Sequence, residues 1–368
     1  MNTSRTPDPS GGLRVAVTGA SGNLGTRVLD ALAAEPAVDA LLGISRRAPG
    51  APPPGVRWVE TDLGDERSGE RLAEAFTGVD AVIHLAWLLQ PSRDPLATWA
   101  TNVLGTQRVL EAVAAADVPV LACASSIAAY GPRHRGAPDE PVDESWPTHG
   151  RPTAAYSREK AYVERLLDSF EARHPDVRVV RMRPSFVFQR AAAAAQRRLF
   201  AGPFLPNRLL RPGLVPAVPD IPGLRFQAVH AEDVADAFRR ALLRPGAGGA
   251  YNLAGDGTLT ARELGLLLGA RPVPVPAGLA RGALGAAWRL RLVPVDPELL
   301  DTLLWLPRLS TARAREELGW RPAHDGAEAV AELLAGLREG AGGATPPLRR
   351  RLPGGRAREL ATGVGGRP

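Results

Sequence analysis

Apolar residues along the chain follow two alternating rhythms. Six short runs are almost continuously apolar: RVAVTG (Arg14 to Gly19), ALLGIS (Ala40 to Ser45), VRWVETD (Val56 to Asp62), AVIHLA (Ala81 to Ala86), PVLACAS (Pro119 to Ser125) and VRVVRMRP (Val177 to Pro184). Between them, segments such as NLGTRVLDALAAE and TNVLGTQRVLEAVAAA space their apolar residues three and four apart, the period of one helix face. Strands without a polar side must be covered on both faces, and intervening helices supply the cover. The pattern predicts an α/β fold with a doubly wound parallel sheet over residues 13–184.

Beyond Pro184 the rhythm breaks. Proline interrupts FAGPFLPNRLLRPGLVPAVP and RPVPVPAGL, which predicts a smaller lobe of loops and short helices over 185–225 and 256–338. Between them, FQAVHAEDVADAFRRALL (Phe226 to Leu243) reads as a strand and a helix, so residues 226–255 are expected to return to the main sheet. Residues 1–12 and 339–368 are expected to be disordered tails outside the fold.

Hydrophobic residues fill 45% of 368 positions, enough for a sizeable core. A single cysteine, Cys123, excludes an internal disulfide. The N-terminus lacks a leader-like apolar run, and no stretch of about eighteen apolar residues occurs, so a soluble cytoplasmic protein with no membrane partner is expected. Formal net charge is +6, but residues 339–368 hold six arginines against Glu339 and Glu359. The tail therefore carries +4 and the body only about +2, too little to predict nucleic-acid binding.

The first chemical motif is TGASGNLG, Thr18 to Gly25, between the first strand and the first helix. Gly19 permits a tight turn, Gly22 lets backbone amides approach a phosphate, and Gly25 lets the helix pack closely, while the helix N-terminus attracts the anion. This predicts dinucleotide binding. Together with TDLGD, HLAW, TNVLGT, SSIAAYG, YSREK, FQAVHAEDVADA, YNLAG and ELGWRP in the same order, the motif resembles the extended branch of the short-chain dehydrogenase/reductase superfamily, the NAD-dependent epimerase/dehydratase-like proteins. The resemblance covers residues 13–338. It implies a Rossmann-like nucleotide domain with a smaller C-terminal substrate-binding lobe, acting as an NAD(P)-dependent oxidoreductase or epimerase. It puts Gly19, Ser21, Gly22, Asn23, Leu24, Gly25, Leu63, Leu85, Ala86 and Pro184 at the cofactor, with Asp62 at its adenine.

YSREK contains the only lysine among 45 basic residues. Arginine is a bulky planar fork, whereas an ammonium is a compact point charge. On a helix Tyr156 and Lys160 share a face. An ammonium beside a phenol predicts a tyrosine pKa lowered from about 10 toward working pH, so that Tyr156 exchanges a proton with a carbonyl or hydroxyl. By resemblance, Lys160 also grips the nicotinamide ribose, Ser126 holds the reacting oxygen, and Asn102 positions a proton-relay water, a structural helix contact being its alternative. Ser125 is assigned to strand-end hydrogen bonding.

The segment GISRR lacks the acidic residue with which NAD-specific members hold the ribose diol. Ser45, Arg46 and Arg47 suit a 2′-phosphate instead, so NADP(H) is expected over NAD(H). Six dispersed histidines give no ligand spacing and no metal is expected; His84 and His230 read as packed, hydrogen-bonded residues. Ile127 and Ala128 stand where related dehydratases carry Asp-Glu. Phe226 and Gln227 stand where sugar-nucleotide epimerases commonly carry Arg-Asp; Arg225, Arg183, Arg197 and Arg208 are the remaining candidates for a diphosphate. With Trp87 and Trp305 near an apolar lobe, the expected substrate is uncharged and hydrophobic. The expected activity interconverts a carbonyl and a secondary alcohol on a small apolar molecule, ahead of a nucleotide-sugar epimerase and of a noncatalytic dinucleotide sensor. Beside this small-molecule partner, a homodimer is left open.

Overall fold

The strands begin where the apolar runs begin. In the computed structural model, which describes residues 11–90, 93–133, 139–356, 359 and 364 (without the side chains of 208 and 209), they are β1 (Leu13–Thr18), β2 (Val38–Ser45), β3 (Val56–Glu60), β4 (Ala81–His84), β5 (Val120–Ala124), β6 (Arg178–Pro184), β7 (Phe186–Phe188), β8 (Ala217–Asp220), β9 (Ala228–His230), β10 (Gly249–Leu253) and β11 (Arg271–Pro274). Seven form one sheet in the order β10-β6-β5-β4-β1-β2-β3, all parallel. The order reverses between β1 and β4, which opens a crevice at the carboxyl edge where such sheets bind ligands.

Helices cover both faces. They are α1 (Asn23–Ala33), α2 (Ser68–Phe76), α3 (Pro95–Trp99), α4 (Gly105–Ala115), α5 (Ala155–Arg173), α6 (Ala193–Gln196), α7 (Ala231–Leu243), α8 (Ala261–Leu268), α9 (Ala277–Arg289), α10 (Pro297–Leu303), α11 (Ala312–Glu317) and α12 (Gly326–Glu339). Alternation along β1 sends Val15 and Val17 toward Val28, Leu32, Val234 and Phe238 of α1 and α7. Ala16 faces the other layer, where Phe76, Val113, Leu167 and Phe170 of α2, α4 and α5 are buried. Each such side chain contributes roughly 1.5–3 kcal/mol, so α5, which carries the Tyr-Lys pair, is held firmly to the sheet.

Two expectations change. Strand β9 pairs with β7 in a separate two-stranded sheet, because His230 already caps α7 and leaves only three extended residues; it is β10 that joins the main sheet. Residues 339–356, expected as part of a disordered tail, also pack into the fold. Thr345 Oγ1 donates to the Ser21 carbonyl at 2.7 Å, Leu348 is buried, and Arg198 donates to the carbonyls of Pro347 (2.8 Å) and Arg349 (3.1 Å). Such anchoring depends on distant partners that composition does not reveal. Most of the arginine-rich stretch beyond residue 356 lies outside the described residues, as do residues 1–10.

Candidate active site

The turn from β1 into α1 is set by glycine. Gly19 has φ +71°, and a Cβ there would meet the Ala86 backbone nitrogen at 2.6 Å; a Cβ on Gly25 would meet the Gly19 carbonyl oxygen at 2.2 Å. Only a bare backbone permits this approach. Gly22 is the N-cap of α1 and no side chain caps it, so the first amides of the helix point into the crevice without a protein acceptor supplied by the cap. Ser21 is buried, and Asn23 is fixed by Gln189, whose Nε2 donates to the Asn23 carbonyl (2.6 Å) and Oδ1 (2.9 Å). Leu24 packs against the core beneath the loop.

Three buried polar atoms at this edge of the sheet have no partner among the described residues: Thr61 Oγ1 after β3, Trp87 Nε1 after β4 and Ser185 Oγ after β6. Burying a hydroxyl or indole N–H unpaired costs about 1–3 kcal/mol, and the groups span the sheet as an extended, polar ligand would. A dinucleotide fits this donor set, the glycine cradle and the uncapped helix. Asp62 turns back to accept from Gly64 N at 3.1 Å, Leu63 is buried beside α4, Leu85 and Ala86 form the wall against Gly19, and Pro184 ends β6. Ser45 Oγ donates to the Arg47 carbonyl (2.8 Å) and accepts from Trp58 Nε1 (3.1 Å), while Arg47 is exposed and Arg46 half-buried.

The sheet edge and α5 bring Ser126, Tyr156 and Lys160 together. Ser126 accepts from Ala128 N at 3.1 Å and lies close enough to Tyr156 to lower the pKa of its phenol. Lys160 Nζ donates to the Ala124 carbonyl at 2.8 Å and lies 3.4 Å from the centroid of the Trp87 ring, whose edge meets Tyr156 at 5.8 Å. Burial drives the Lys160 pKa down from 10.5 to about 7, since among the described residues no carboxylate contacts the ammonium directly. The direction at Tyr156 corrects the sequence expectation: burial raises its pKa, with the Ser126 hydrogen bond acting against it. The ammonium is turned to a carbonyl and an indole face, so the phenol gains little from it here.

For Asn102 the contacts are those of the structural alternative. Its Oδ1 accepts from Leu88 N (2.7 Å) and its Nδ2 donates to Leu88 O (2.8 Å) and to Glu159 Oε2 (2.7 Å), so both amide protons are committed within the protein. Asn102 clamps the loop after β4, its alternative structural role. Glu159, missed in the sequence, is buried between Thr98 Oγ1 (2.7 Å) and Asn102; burial raises its pKa while these bonds lower it. The signal available was a carboxylate beside Lys160 on the packed side of α5. Ser125 Oγ donates to Glu164 Oε1 at 2.6 Å. His84 sits between Thr18 Oγ1 (2.7 Å) and Thr106 Oγ1 (2.9 Å), its pKa lowered to about 3 by burial and then by Lys160, and His230 caps α7: both are packed histidines.

The candidate diphosphate cations are engaged elsewhere. Arg183 pairs with Glu164 and donates to Tyr130 Oη, Arg197 holds Gly202 O and Glu359, and Arg225 pairs with Asp139. The Arg208 side chain lies outside the described residues.

Residues 15–254 match the NAD dependent epimerase/dehydratase family. A 4-hydroxy-2-methyl-3-oxo-4-farnesyl-3,4-dihydroquinoline-1-oxide ketoreductase of Stigmatella aurantiaca is 29% identical over 330 residues, 84% of this chain and 92% of that protein. A dTDP-glucose 4,6-dehydratase of Streptomyces antibioticus is 29% identical over 350 residues, 89% of this chain and 93% of the relative. In structure, the UDP-glucose 4-epimerase of Thermus thermophilus in complex with NAD superposes with a TM-score of 0.64 at 24% identity, covering 89% and 99% of the two chains. No helix among the described residues is long and apolar enough to cross a membrane.

Proposed function

Because the chain belongs to the NAD dependent epimerase/dehydratase family and is an NAD(P)-dependent enzyme of the extended short-chain dehydrogenase/reductase type, we propose that it reduces the ketone of a small lipophilic molecule, or oxidises the matching secondary alcohol. One observation carries this reading: a Ser126–Tyr156–Lys160 cluster walled by the Trp87 indole, with Arg183, Arg197 and Arg225 each already paired. A buried diphosphate without cations costs several kcal/mol, whereas a ketone needs only one hydrogen-bond donor. The near full-length likeness to a ketoreductase of a farnesylated ring supports the same substrate class.

The residues divide the work. Ser126 Oγ and Tyr156 Oη, which lie side by side, would converge on the substrate oxygen; Tyr156 would pass its proton there as the oxygen gains charge. Lys160, with its pKa near 7, would leave the Ala124 carbonyl and the indole to hold the ribose hydroxyls and restore charge beside the phenol. Thr61, Trp87 and Ser185 would give their unpaired polar atoms to the dinucleotide, and the Gly19–Gly25 turn its amides to the phosphates. When bound, the nicotinamide supplies or accepts the hydride. Arg46 and Arg47 favour NADP(H) over NAD(H) in this reading.

The test pairs a panel of aryl and prenylated ketones, read by NADPH consumption, with calorimetry of UDP- and dTDP-glucose. The expected result is turnover of an apolar ketone and no sugar-nucleotide binding below millimolar concentration. Micromolar UDP-glucose binding abolished by Arg225→Ala would instead make the chain a sugar-nucleotide epimerase.

A further inference from the structure

Helix α9 has no buried residue. Its half-buried side, Ala277, Ala280, Leu284, Ala287 and Trp288, faces the lobe, where Arg281 pairs with Asp301 of α10 at 2.9 Å. On the other side Leu279, Ala283, Ala286 and Leu290 recur four, three and four residues apart, forming one exposed stripe; Leu279 is 65% and Leu290 70% accessible. A helix in a globular lobe exposes its polar side, and α9 exposes an apolar one. Leu292, Leu266 and Val273 of the same lobe are exposed as well.

Charge identifies what covers the stripe. Residues 262–292 contain five arginines and one acid, Glu263. At the C-terminal end of α9, Arg93 stacks on Trp288 with Cζ 3.5 Å from the ring centroid and donates to its carbonyl. Burial, and then the charge of Arg291, lower the Arg93 pKa, so guanidinium groups gather there without compensation. Among the described residues no carboxylate pairs Arg289 or Arg291. A protein partner would have to bring carboxylates to this end, and α9 of a second copy carries none.

We propose that α9 docks the protein onto an anionic lipid surface, with Leu279 and Leu290 entering the headgroup boundary and Arg289 and Arg291 meeting lipid phosphates. This revises the expectation of no membrane partner, which rested on the lack of a spanning segment. Arg93 ties α9 to the loop that follows β4 and carries Trp87, so docking brings the active-site edge toward a bilayer in which a lipophilic ketone would dissolve. Only this last link rests on the proposed substrate class.

The experiment is co-sedimentation of the full-length protein with vesicles of phosphatidylcholine alone or with one-third phosphatidylglycerol, with no turnover readout, so it stands or falls apart from the ketone assay. The protein should pellet with the anionic vesicles only and be released by high salt. Leu279→Asp with Leu290→Asp, and separately Arg289→Glu with Arg291→Glu, should each weaken binding by about tenfold or more while leaving the thermal melt unchanged. Absence of binding, equal binding to both vesicles, or wild-type binding by both double variants would overturn the proposal. So would self-association removed by the leucine substitutions, which would make the occupant a second copy.

Discussion

Two successive turns of α5 bury charge under opposite conditions. In the first, Lys160 meets, among the described residues, a backbone carbonyl and an indole face, and burial brings its pKa to about 7. In the next, Glu164 accepts from Ser125, Arg181 and Arg183; burial alone would raise its pKa, but Arg183, Ser125 and Arg181 together hold it at about 2. Both sites are fully packed. The difference is compensation: where every charge has a partner the turn is structural, and where the charge is left unpaired its protonation can change at neutral pH, which suits proton transfer and cofactor binding.

The comparison breaks most sharply at Tyr156. Tyr156→Phe removes the transferable proton and should cut turnover of an apolar ketone by about 10²- to 10⁴-fold with an unchanged melting temperature. Near-normal turnover would remove the Tyr156–Lys160 pair from the chemistry. Glu164→Gln should do the reverse: it leaves Arg181 and Arg183 buried with a neutral partner and should cost about 3–5 kcal/mol in urea unfolding, with normal turnover in the fraction that folds. Because the Glu164 pKa is depressed, its stabilisation is present above the unfolded value of 4.5 and lost as pH falls through about 2, so the Glu164→Gln variant should lack that acid transition.

Lys160 sharpens the contrast at smaller scale. Its pKa is lowered, so Nζ loses its charge as pH rises through about 7, and dinucleotide affinity should weaken across that interval. Lys160→Arg, always charged but too wide for the Ala124 corner, should bind about tenfold less tightly at low pH and show no such pH dependence. The smallest effect is at the far end of the site, where Arg46→Ala with Arg47→Ala should reduce an NADPH preference of about tenfold toward parity, measured by fluorescence titration. Equal affinities in the unaltered protein would mean that neither arginine meets the 2′-phosphate.

What the sequence disclosed and what it hid follow from the range of the forces. The strands, their helical cover and the Gly19–Gly25 turn are written in local spacing and in sterics that only glycine satisfies, and the six expected sheet strands each lie within two residues of their expected place. The Tyr-Lys spacing likewise put Tyr156 and Lys160 on one face. The raised Tyr156 pKa, the clamping of Asn102 by Leu88 and the burial of Glu159 depend on partners 14 to 61 residues away, which no local pattern encodes. The same holds for Thr345 on Ser21, 324 residues apart, which turned an expected tail into part of the cofactor loop's support.

The central claim is that the Tyr156–Lys160 pair of α5 serves hydride chemistry on an apolar ketone. The direct measurement uses NADPH deuterated on the transferring face of its ring, an aryl or prenylated ketone that the enzyme consumes, and mass spectrometry of the product. One deuterium on the carbinol carbon with the wild-type protein, and at most about a hundredth as much labelled product from Tyr156→Phe in the same time, is the predicted result. A product without deuterium, or equal labelling by the two proteins, would contradict the account.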